Sequence, residues 1–456
     1  MRRRLQAGER RVPVGKGLID FITRIYDVAV VGAGPAGSTA ARILAARGLK
    51  VLLIDAKKLP RDKPCAGVVS AKTLSVLEQE GLGVPQDLVE AEIYGLRAFG
   101  PNMEPVCMEP ACEAGISLPG RPRLGITVRR RAFDWFLTEA ARNAGARLID
   151  ACRLVGVGPS AARDTYGGLP ALWLDTSKGR FEARVIVGAD GVSGATARLA
   201  GIRLRFRWWE LARTWSMDIP VNLAANRAIP VTNVAEIYFP PIPFGSGWLF
   251  PHGDHVNVGI GYAAFTRRIF IDSDGPSSQS EPHPAFSAFL NNLARVKGWE
   301  IQTISATKPG GPKEYLVPAG GFRRPIACGQ VLLIGDAAGL VDPFTGEGMF
   351  NAVRSAKIAA ETITDFLCGD FTGYRPAGRG GRAPAWHPIA YEYTRRCYGA
   401  LLPELRRSLI LTAVFFNKGG LFSRLLRRDP RRAAWLARVM HSEGAYRRAL
   451  TELLLR

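Results

Sequence analysis

A buried strand running straight into three spaced glycines constrains this chain more than any other feature. The segment from Tyr26 to Gly37 reads YDVAVVGAGPAG. An apolar strand that ends in Gly32, Gly34 and Gly37 and then opens a helix builds a cradle for a dinucleotide pyrophosphate. Each glycine has its own job there. Gly32 makes the tight turn, Gly34 lets backbone amides approach the phosphates, and Gly37 lets the helix over Ser38 to Arg47 pack on the strand with its N-terminus aimed at them. Asp55 ends the next apolar run, VLLID, and stands 21 residues past the second glycine. A carboxylate in that place accepts hydrogen bonds from an adenosine ribose. A glycine triplet alone arises by chance in a chain with 50 glycines, so the weight rests on strand, helix and acid standing together.

The rest of the composition sets bounds. A chain of 456 residues exceeds what one core organises, so two or three structural units are expected. Seven cysteines are scattered without a C-x-x-C pair. An odd count without pairing pattern argues against a disulfide framework and for a reducing, cytoplasmic setting. No apolar run approaches the roughly 20 residues that span a bilayer, the longest C-terminal stretch being Leu409 to Phe416. Residues 1–24 begin MRRRLQAGERR with no apolar run behind them, and read as a disordered basic extension.

The formal charge is +21, carried by 49 Arg and 12 Lys. It is uneven: Tyr391 to Arg456 holds 14 basic and 5 acidic residues. Nucleic acid, anionic lipid headgroups and an acidic redox partner are all attracted by such a surface, and a merely solvated basic face has the same composition.

Two further segments, 186–194 and 331–354, look like parts of the glycine-rich site, and a helical segment precedes them in the chain. Ile126 to Arg147 has Phe133, Phe136, Leu137, Ala140 and Ala141 at helical spacing, with three arginines at its entrance and Gly145 at its end. Arg130 in that entrance is a candidate phosphate ligand, the alternative being three exposed arginines. Strands follow at Arg153 to Val157 and at Ala183 to Val187, the second leading into Asp190-Gly191. Val331 to Arg354 reads VLLIGDAAGLVDPFTGEGMFNAVR: an apolar strand delivers Gly335 and Asp336, and Gly346 and Gly348 precede a helix from Met349 to about Phe366. Glycine here clears space for a planar ring or ribityl chain against backbone, and a helix N-terminus stabilises negative charge on a reduced ring.

The glycine fingerprint, Asp190-Gly191 and Gly335-Asp336, in that order, resemble the FAD-binding domain of the p-hydroxybenzoate hydroxylase superfamily. The resemblance implies FAD, with Asp336 on the ribityl chain, Arg130 and the Ala36 backbone at the pyrophosphate, Asp55 on the ribose, and the strand at Leu154 passing the adenine. Within that superfamily the chain from about Ile25 onward resembles the geranylgeranyl reductase family. Lys63-Pro64-Cys65-Ala66-Gly67 is similar to its K-x-C-G segment beside the flavin, and GDAAGLVDPFTGEG to its second flavin signature. WLFPHGDHVNVGIG, from Trp248 to Gly261, follows its pattern Y-x-W-x-F-P and later G-x-G. Two positions depart: Ser246 stands where the family has the tyrosine, and Ala66 where it has the first glycine after the cysteine.

The resemblance implies an FAD-dependent oxidoreductase that reduces carbon-carbon double bonds of an isoprenoid chain or prenyl lipid, with Cys65 and Trp248 as catalytic candidates and Ala66 and Gly67 beside the flavin. From the residues themselves, Trp248 and Phe250, with Val256, Val258 and Ile260, read as an apolar wall suited to a prenyl chain, or equally to a sheet core. Cys65 reads as a small apolar residue or as a thiol activated by Arg61 and Lys63. His252 and His255 beside Asp254 make a poor ligand set, so no metal is assigned. No second dinucleotide fingerprint follows a strand, and GIGYAA at 259–264 reads as a turn, which leaves NAD(P)H or a reduced electron-carrier protein as donor. A flavin monooxygenase or halogenase of the same superfamily is the alternative, although Ser246 and Phe250 break the halogenase W-x-W-x-I-P pattern. A basic protein binding membrane or nucleic acid is the alternative of another class; the flavin signatures argue against it, and nucleic acid is not an expected partner.

The expected architecture is α/β: a doubly wound FAD-binding domain from 25–85, 126–200 and 310–370, and an antiparallel β substrate domain from 86–125 and 201–309. A linker at Gly373 to Pro388 then leads to a helical C-terminal unit at 389–456. In that unit Leu401, Leu405, Leu409, Val414, Phe415, Leu421, Leu425 and Leu426 alternate with arginines, a pattern suited to peripheral contact with an anionic membrane or to closing a lipid tunnel.

Overall fold

The computed structural model describes residues 25–108, 123–163, 170–220, 233–239, 245–263, 284–299, 311–369, 387–417, 438–439 and 442–454. The N-terminal extension, nearly all of the linker and the stretch holding Leu421, Leu425 and Leu426 lie outside them.

Five short strands pair in parallel in the order Val331–Leu333, Gly179–Gly188, Tyr26–Val31, Val51–Ile54, Arg147–Ile149. Where they pair, residues 28–31, Val51–Ile54, 185–187 and Val331–Leu333 are apolar and buried, as the middle of strands covered on both faces must be. Ala327–Cys328 adds an antiparallel edge, and Leu154–Arg163 and Pro170–Thr176 form an antiparallel ribbon on the first half of Gly179–Gly188. The helix Pro35–Ala46 packs between Arg130–Asn143 and Met349–Cys368. The α/β class expected from the sequence is the one found, and the three strands that carry the signatures are neighbours in this sheet.

A second sheet has seven strands in the order Lys313–Pro318, Leu211–Pro220, His255–Ala263, Gly245–Pro251, Val234–Tyr238, Gly95–Phe99, Pro105–Met108. All its pairs are antiparallel except Val234–Tyr238 with Gly95–Phe99. One face is covered by the helix Pro284–Lys297, whose Phe286, Phe289 and Leu293 pack on Leu249, Val256, Val258 and Ile260. Two expectations fail here. Residues 259–263 continue the strand instead of turning, because Gly261 and Ile260 pair with Thr214 and Trp215. Val256, Val258 and Ile260 also do not share a wall with Trp248 and Phe250. Register sets Trp248 opposite Gly259 and Phe250 opposite Asn257, so the two aromatics point to the other face.

A small three-stranded sheet of Val68–Ser70, Gly125–Thr127 and Ala91–Ile93 joins the two parts. The 30-residue helix Pro388–Asn417 then packs back on the nucleotide domain. Leu401 and Leu405 are buried there beside Ile389, Tyr393 and Tyr398, which makes them core residues and not a membrane-facing stripe. Val414 alone of that expected set is exposed among those whose side chains are described, and Leu409 is part-buried.

Candidate functional site: a dinucleotide cradle facing an apolar sheet

The glycine turn is shaped by contacts that leave no room for a side chain. A Cβ on Gly37 would overlap the Gly32 carbonyl, and Gly32 holds φ at +105° with the Ala189 backbone pressed against it. Gly34 differs: a Cβ there would meet only Arg61 Nη2, at 3.7 Å, so the space above its amide is open. The helix that follows has Gly34 as N-cap, no side-chain cap and no acid in its first turn. Its first N–H groups therefore await an acceptor.

The other segments close on this turn. A Cβ on Gly335 would lie 3.1 Å from that of Ala36, and one on Gly188 2.7 Å from both Leu333 and Thr196. Asp336 Oδ2 accepts from Lys63 Nζ at 3.3 Å and from Tyr315 OH at 3.2 Å. Burial pulls the Lys63 pKa down, but attraction to Asp336 and Tyr315 outweighs it and holds the ammonium above its ordinary value. Gly346 has φ +70° with nothing near its Cβ direction, and Gly348 starts the helix Met349–Cys368 without a side-chain cap. Met349 itself is buried beside Phe350 and Val353.

Asp55 accepts from the Ala33 amide at 2.9 Å, from the Lys57 amide at 2.9 Å and from Arg61 at 3.3 Å. Cys152 N donates to Asp55 O, which brings the chain before Leu154 alongside this acid, while the Leu154 side chain enters the core. Asp190 Oδ2 accepts from the amide and hydroxyl of Thr196, each at 2.8 Å. Burial raises the Asp190 pKa and those bonds offset it only in part; Oδ1 is buried and makes no hydrogen bond among the described residues.

Arg130, the expected phosphate ligand, is held by an acid on its own helix. It is buried, with Nε and Nη2 donating to Asp134 at 2.8 and 2.9 Å, and the Cys65 thiol lies within its reach. The arginine that does approach the glycine turn is Arg61, between Asp55, Asp134 and Gly34. Of the neighbouring arginines, Arg129 pairs with Glu90 and Asp254 and Arg131 with Asp62. Cys65 is exposed, its sulfur accepting from the Gly67 amide.

His252 ties the two parts together. It is buried, its Nδ1 bonded to Glu90 at 2.6 Å and its Nε2 to the Ala66 carbonyl at 3.1 Å. Gly67, at φ +76°, has room for no side chain because Val128 O and His252 Cε1 would lie within 2.7 Å of its Cβ. Burial raises the Glu90 pKa, but the bonds from His252 and Arg129 outweigh it and keep the carboxyl below its ordinary range. Glu90, His252 and His255 bring ligand atoms within 4.8 Å of one another. With both His252 nitrogens already bonded, the set offers a metal no free triad of donors.

The apolar side of the site is the face carrying Ser246, Trp248 and Phe250. The Trp248 indole lies flat over Gly259, where any Cβ would enter the ring, and its Nε1 donates to Asn257 at 2.8 Å. Phe250 stacks beside it, with centroids 6.4 Å apart, and borders a cluster of Ile93, Leu96, Ala235, Phe344, Leu411 and Tyr446. Phe344 belongs to the loop that follows Asp336. Sequence reading missed Arg61 as a cradle residue, Lys63 as the partner of Asp336, and Tyr315, Glu90 and His252. The first two stood in view beside Cys65; the other three come from distant strands and turns and carry no local signal.

Two uncapped helix N-termini, an orphaned carboxylate oxygen on Asp190 and an open Gly34 fit a dinucleotide diphosphate with a ribityl arm. The matching family model agrees: residues 25–227 match the FAD binding domain. The fold and site thus define an FAD-binding flavoprotein. A menaquinone reductase from Mycolicibacterium smegmatis is 28% identical over 447 residues, covering 93% of this chain and 98% of that protein. A digeranylgeranylglycerophospholipid reductase from Methanosarcina acetivorans is 29% identical over 75% of this chain and 76% of its own. Among solved structures, a geranylgeranyl bacteriochlorophyll reductase-like protein from Thermoplasma acidophilum superposes with a TM-score of 0.68 at 22% identity, covering 94% and 96% of the two chains, and shows the shared fold. The resemblance to the geranylgeranyl reductase family of FAD-dependent oxidoreductases read from the sequence is borne out by these relatives.

Proposed function

We propose that this flavoprotein reduces isolated carbon-carbon double bonds in the isoprenoid chain of a prenyl lipid. One observation carries the reading: the face holding Trp248 and Phe250 is joined to flavin-binding segments on two sides, through His252 to Ala66-Gly67 and through Phe344 to the loop after Asp336. The names of the relatives, reductases of menaquinone and of a digeranylgeranyl lipid, support the same substrate class.

Bound FAD, once reduced by NAD(P)H or a reduced carrier protein, supplies the hydride. The chain's own residues do the rest. In this reading Gly32, Gly34, Ala36 and Gly37 hold the pyrophosphate with Arg61 nearby, Asp55 the ribose, and Asp336, with Asp190 and the Gly346 to Met349 turn, the ribityl and ring end. Arg130 acts from behind, fixing Asp134 and facing Cys65. Leu154 supports the adenine strand from the core. Trp248 and Phe250 lay the alkene against the ring and exclude water, which lets orientation replace the activation an isolated alkene lacks. Cys65, with Ala66 and Gly67, borders the reacting bond and influences proton delivery to the second carbon. Residues 25–85, 126–200 and 310–370 form the cofactor part and 86–125 with 201–309 the substrate part in this division of labour, the strand Lys313–Pro318 crossing over to the sheet of the substrate part. The helical unit at 389–456 closes the lipid side, and the protein works as a cytoplasmic enzyme resting on the membrane surface.

The test is anaerobic incubation of the reduced holoprotein with menaquinone, a digeranylgeranyl lipid and geranylgeranyl diphosphate, followed by mass measurement. A gain of two hydrogens per bond is expected. A gain of oxygen in air, with no hydrogenation in its absence, overturns the reading in favour of a monooxygenase.

A further inference from the structure

Large apolar side chains are exposed together at one place outside the site. Leu204, Trp208 and Trp209, just before the strand Leu211–Pro220, are 83%, 45% and 41% exposed. The two indoles meet edge to face with centroids 5.6 Å apart, and the Arg207 guanidinium stands 5.2 Å from the Trp209 ring. A scattered exposed leucine needs no explanation, but two adjacent tryptophans do.

The segment has a fixed base. Phe206 is buried beneath it, with Arg203 3.8 Å and Arg324 5.4 Å from its ring. Glu210 is buried and paired with Arg324 at 3.3 Å, and its carbonyl accepts from the Ala319 amide at 2.8 Å. Arg203 donates to Ala337 O at 2.7 Å and Arg324 to Gly339 O at 2.9 Å, so the base rests on the helix and turn that follow Asp336. The tryptophans therefore do not reach the surface by disorder of their own loop.

A second exposed apolar pair lies on the helix that packs against Gly320 and Gly321, beside the same base. Ile410 and Val414, one turn apart on the helix Pro388–Asn417, are each about half exposed. Gly320 and Gly321 connect the two places: they follow Ala319 directly, and a Cβ on Gly321 would lie 3.1 Å from that of Leu409. Arg198, Arg205, Arg207, Arg323 and Arg406 around these residues are exposed, and among the described residues none of the five is ion-paired with a carboxylate. The run from Arg198 to Trp209 contains no acid at all.

We infer that Leu204, Trp208 and Trp209, flanked by these arginines and by Ile410 and Val414, form the surface through which the protein docks on an anionic lipid bilayer. The chemistry selects that partner. Indole rings settle at the boundary between headgroups and acyl chains, a leucine beside them enters further, and arginines meet phosphate groups while their stems cover apolar surface. A second copy of the same patch would set these five arginines against five more, which charge disfavours. No helix among the described residues is long and apolar enough to cross a membrane, so insertion is shallow. The inference rests on the reading of a prenyl lipid as substrate, and it places the membrane contact beside the turn that follows Asp336 instead of along the whole basic unit at 389–456.

The experiment uses full-length, FAD-loaded protein with vesicles of phosphatidylcholine alone and of phosphatidylcholine with phosphatidylglycerol, read by co-sedimentation and by tryptophan emission. The unaltered protein should bind the anionic vesicles with a blue-shifted emission. Trp208→Ser with Trp209→Ser should weaken that binding by about tenfold or more. Arg205→Gln with Arg207→Gln should weaken it by about fivefold per charge at low salt and little at high salt. Both should keep FAD and their rate on geranylgeranyl diphosphate in solution. Arg427, Arg428, Arg431 and Arg432 changed together to Gln serve as the comparison, with a smaller loss. Vesicle binding undiminished by the tryptophan and arginine changes overturns the surface while leaving the substrate reading intact, as does a protein that ignores both vesicles yet hydrogenates a prenyl chain in solution. Binding through the tryptophans without any prenyl reduction leaves the surface standing and overturns the substrate reading instead.

Discussion

The cofactor cradle and the apolar face opposite it are built from different materials. Around Gly32 and Gly37 the contacts are backbone against backbone: the Gly37 position is filled by the Gly32 carbonyl, and the Gly32 turn by Ala189. Around Trp248 they are side chain against side chain, and the one indispensable glycine, Gly259, serves to receive an indole. Backbone sites tolerate no substitution because every added atom strikes a peptide group that cannot rotate away. Side-chain sites can repack at a modest cost. In the proposed reading the first region governs whether the protein holds its cofactor, and the second governs what it acts on.

Four substitutions break or sharpen that contrast. The largest effect is expected from Gly37→Ala, which forces the first helix off its strand. It should cost about 3 kcal/mol or more of stability and abolish FAD retention, read by thermal unfolding and by the flavin absorbance of the purified protein. A coloured, stable variant would show that the cradle has slack the structure denies. Next comes Gly259→Val, which displaces the Trp248 indole. Turnover of prenyl substrates should fall about a hundredfold with FAD content unchanged; if FAD is lost as well, the two regions are not separable.

Asp336→Ala removes a carboxylate that balances Lys63 and, in the proposed reading, meets the ribityl hydroxyls. FAD affinity should drop about tenfold, measured by quenching of flavin fluorescence. An unchanged dissociation constant would remove Asp336 from the cofactor site. The smallest effect belongs to Ser246→Tyr, which adds a ring on the Trp248 face beside Gly261. It should lower kcat/KM only a few-fold, and most for the bulkiest lipids. An equal loss for short and long prenyl chains would mean that Ser246 does not border the substrate path.

The contrast also explains what could be read in advance. The fingerprint strand, Asp55, Asp190-Gly191 and Gly335-Asp336 were legible because each lies in a short run whose glycine spacing or strand end states its geometry locally. Their convergence was legible only as a resemblance. The pairing of Arg130 with Asp134 and the place of Arg61 beside Gly34 were not legible, since a sequence offers several arginines near a helix entrance and only packing decides which acid each one meets. The wall around Trp248 was half right. Alternation along one strand placed Trp248 and Phe250 together, but the next strand's valines fall on the opposite face once register is fixed.

What the sequence determined by itself is the local conformation of the cradle: glycines that must lie against backbone, apolar runs that must be buried, an acid at a strand end. Those are consequences of φ, ψ and period within a dozen residues. Relations across the joint between the two sheets came from packing alone. His252 on Ala66, Glu90 on His252, Tyr315 and Lys63 on Asp336, and Glu210 on Arg324 all join residues far apart in the chain. Such pairings are fixed by strand register and by burial of charge against a single available partner. Neither quantity exists until the sheets have packed.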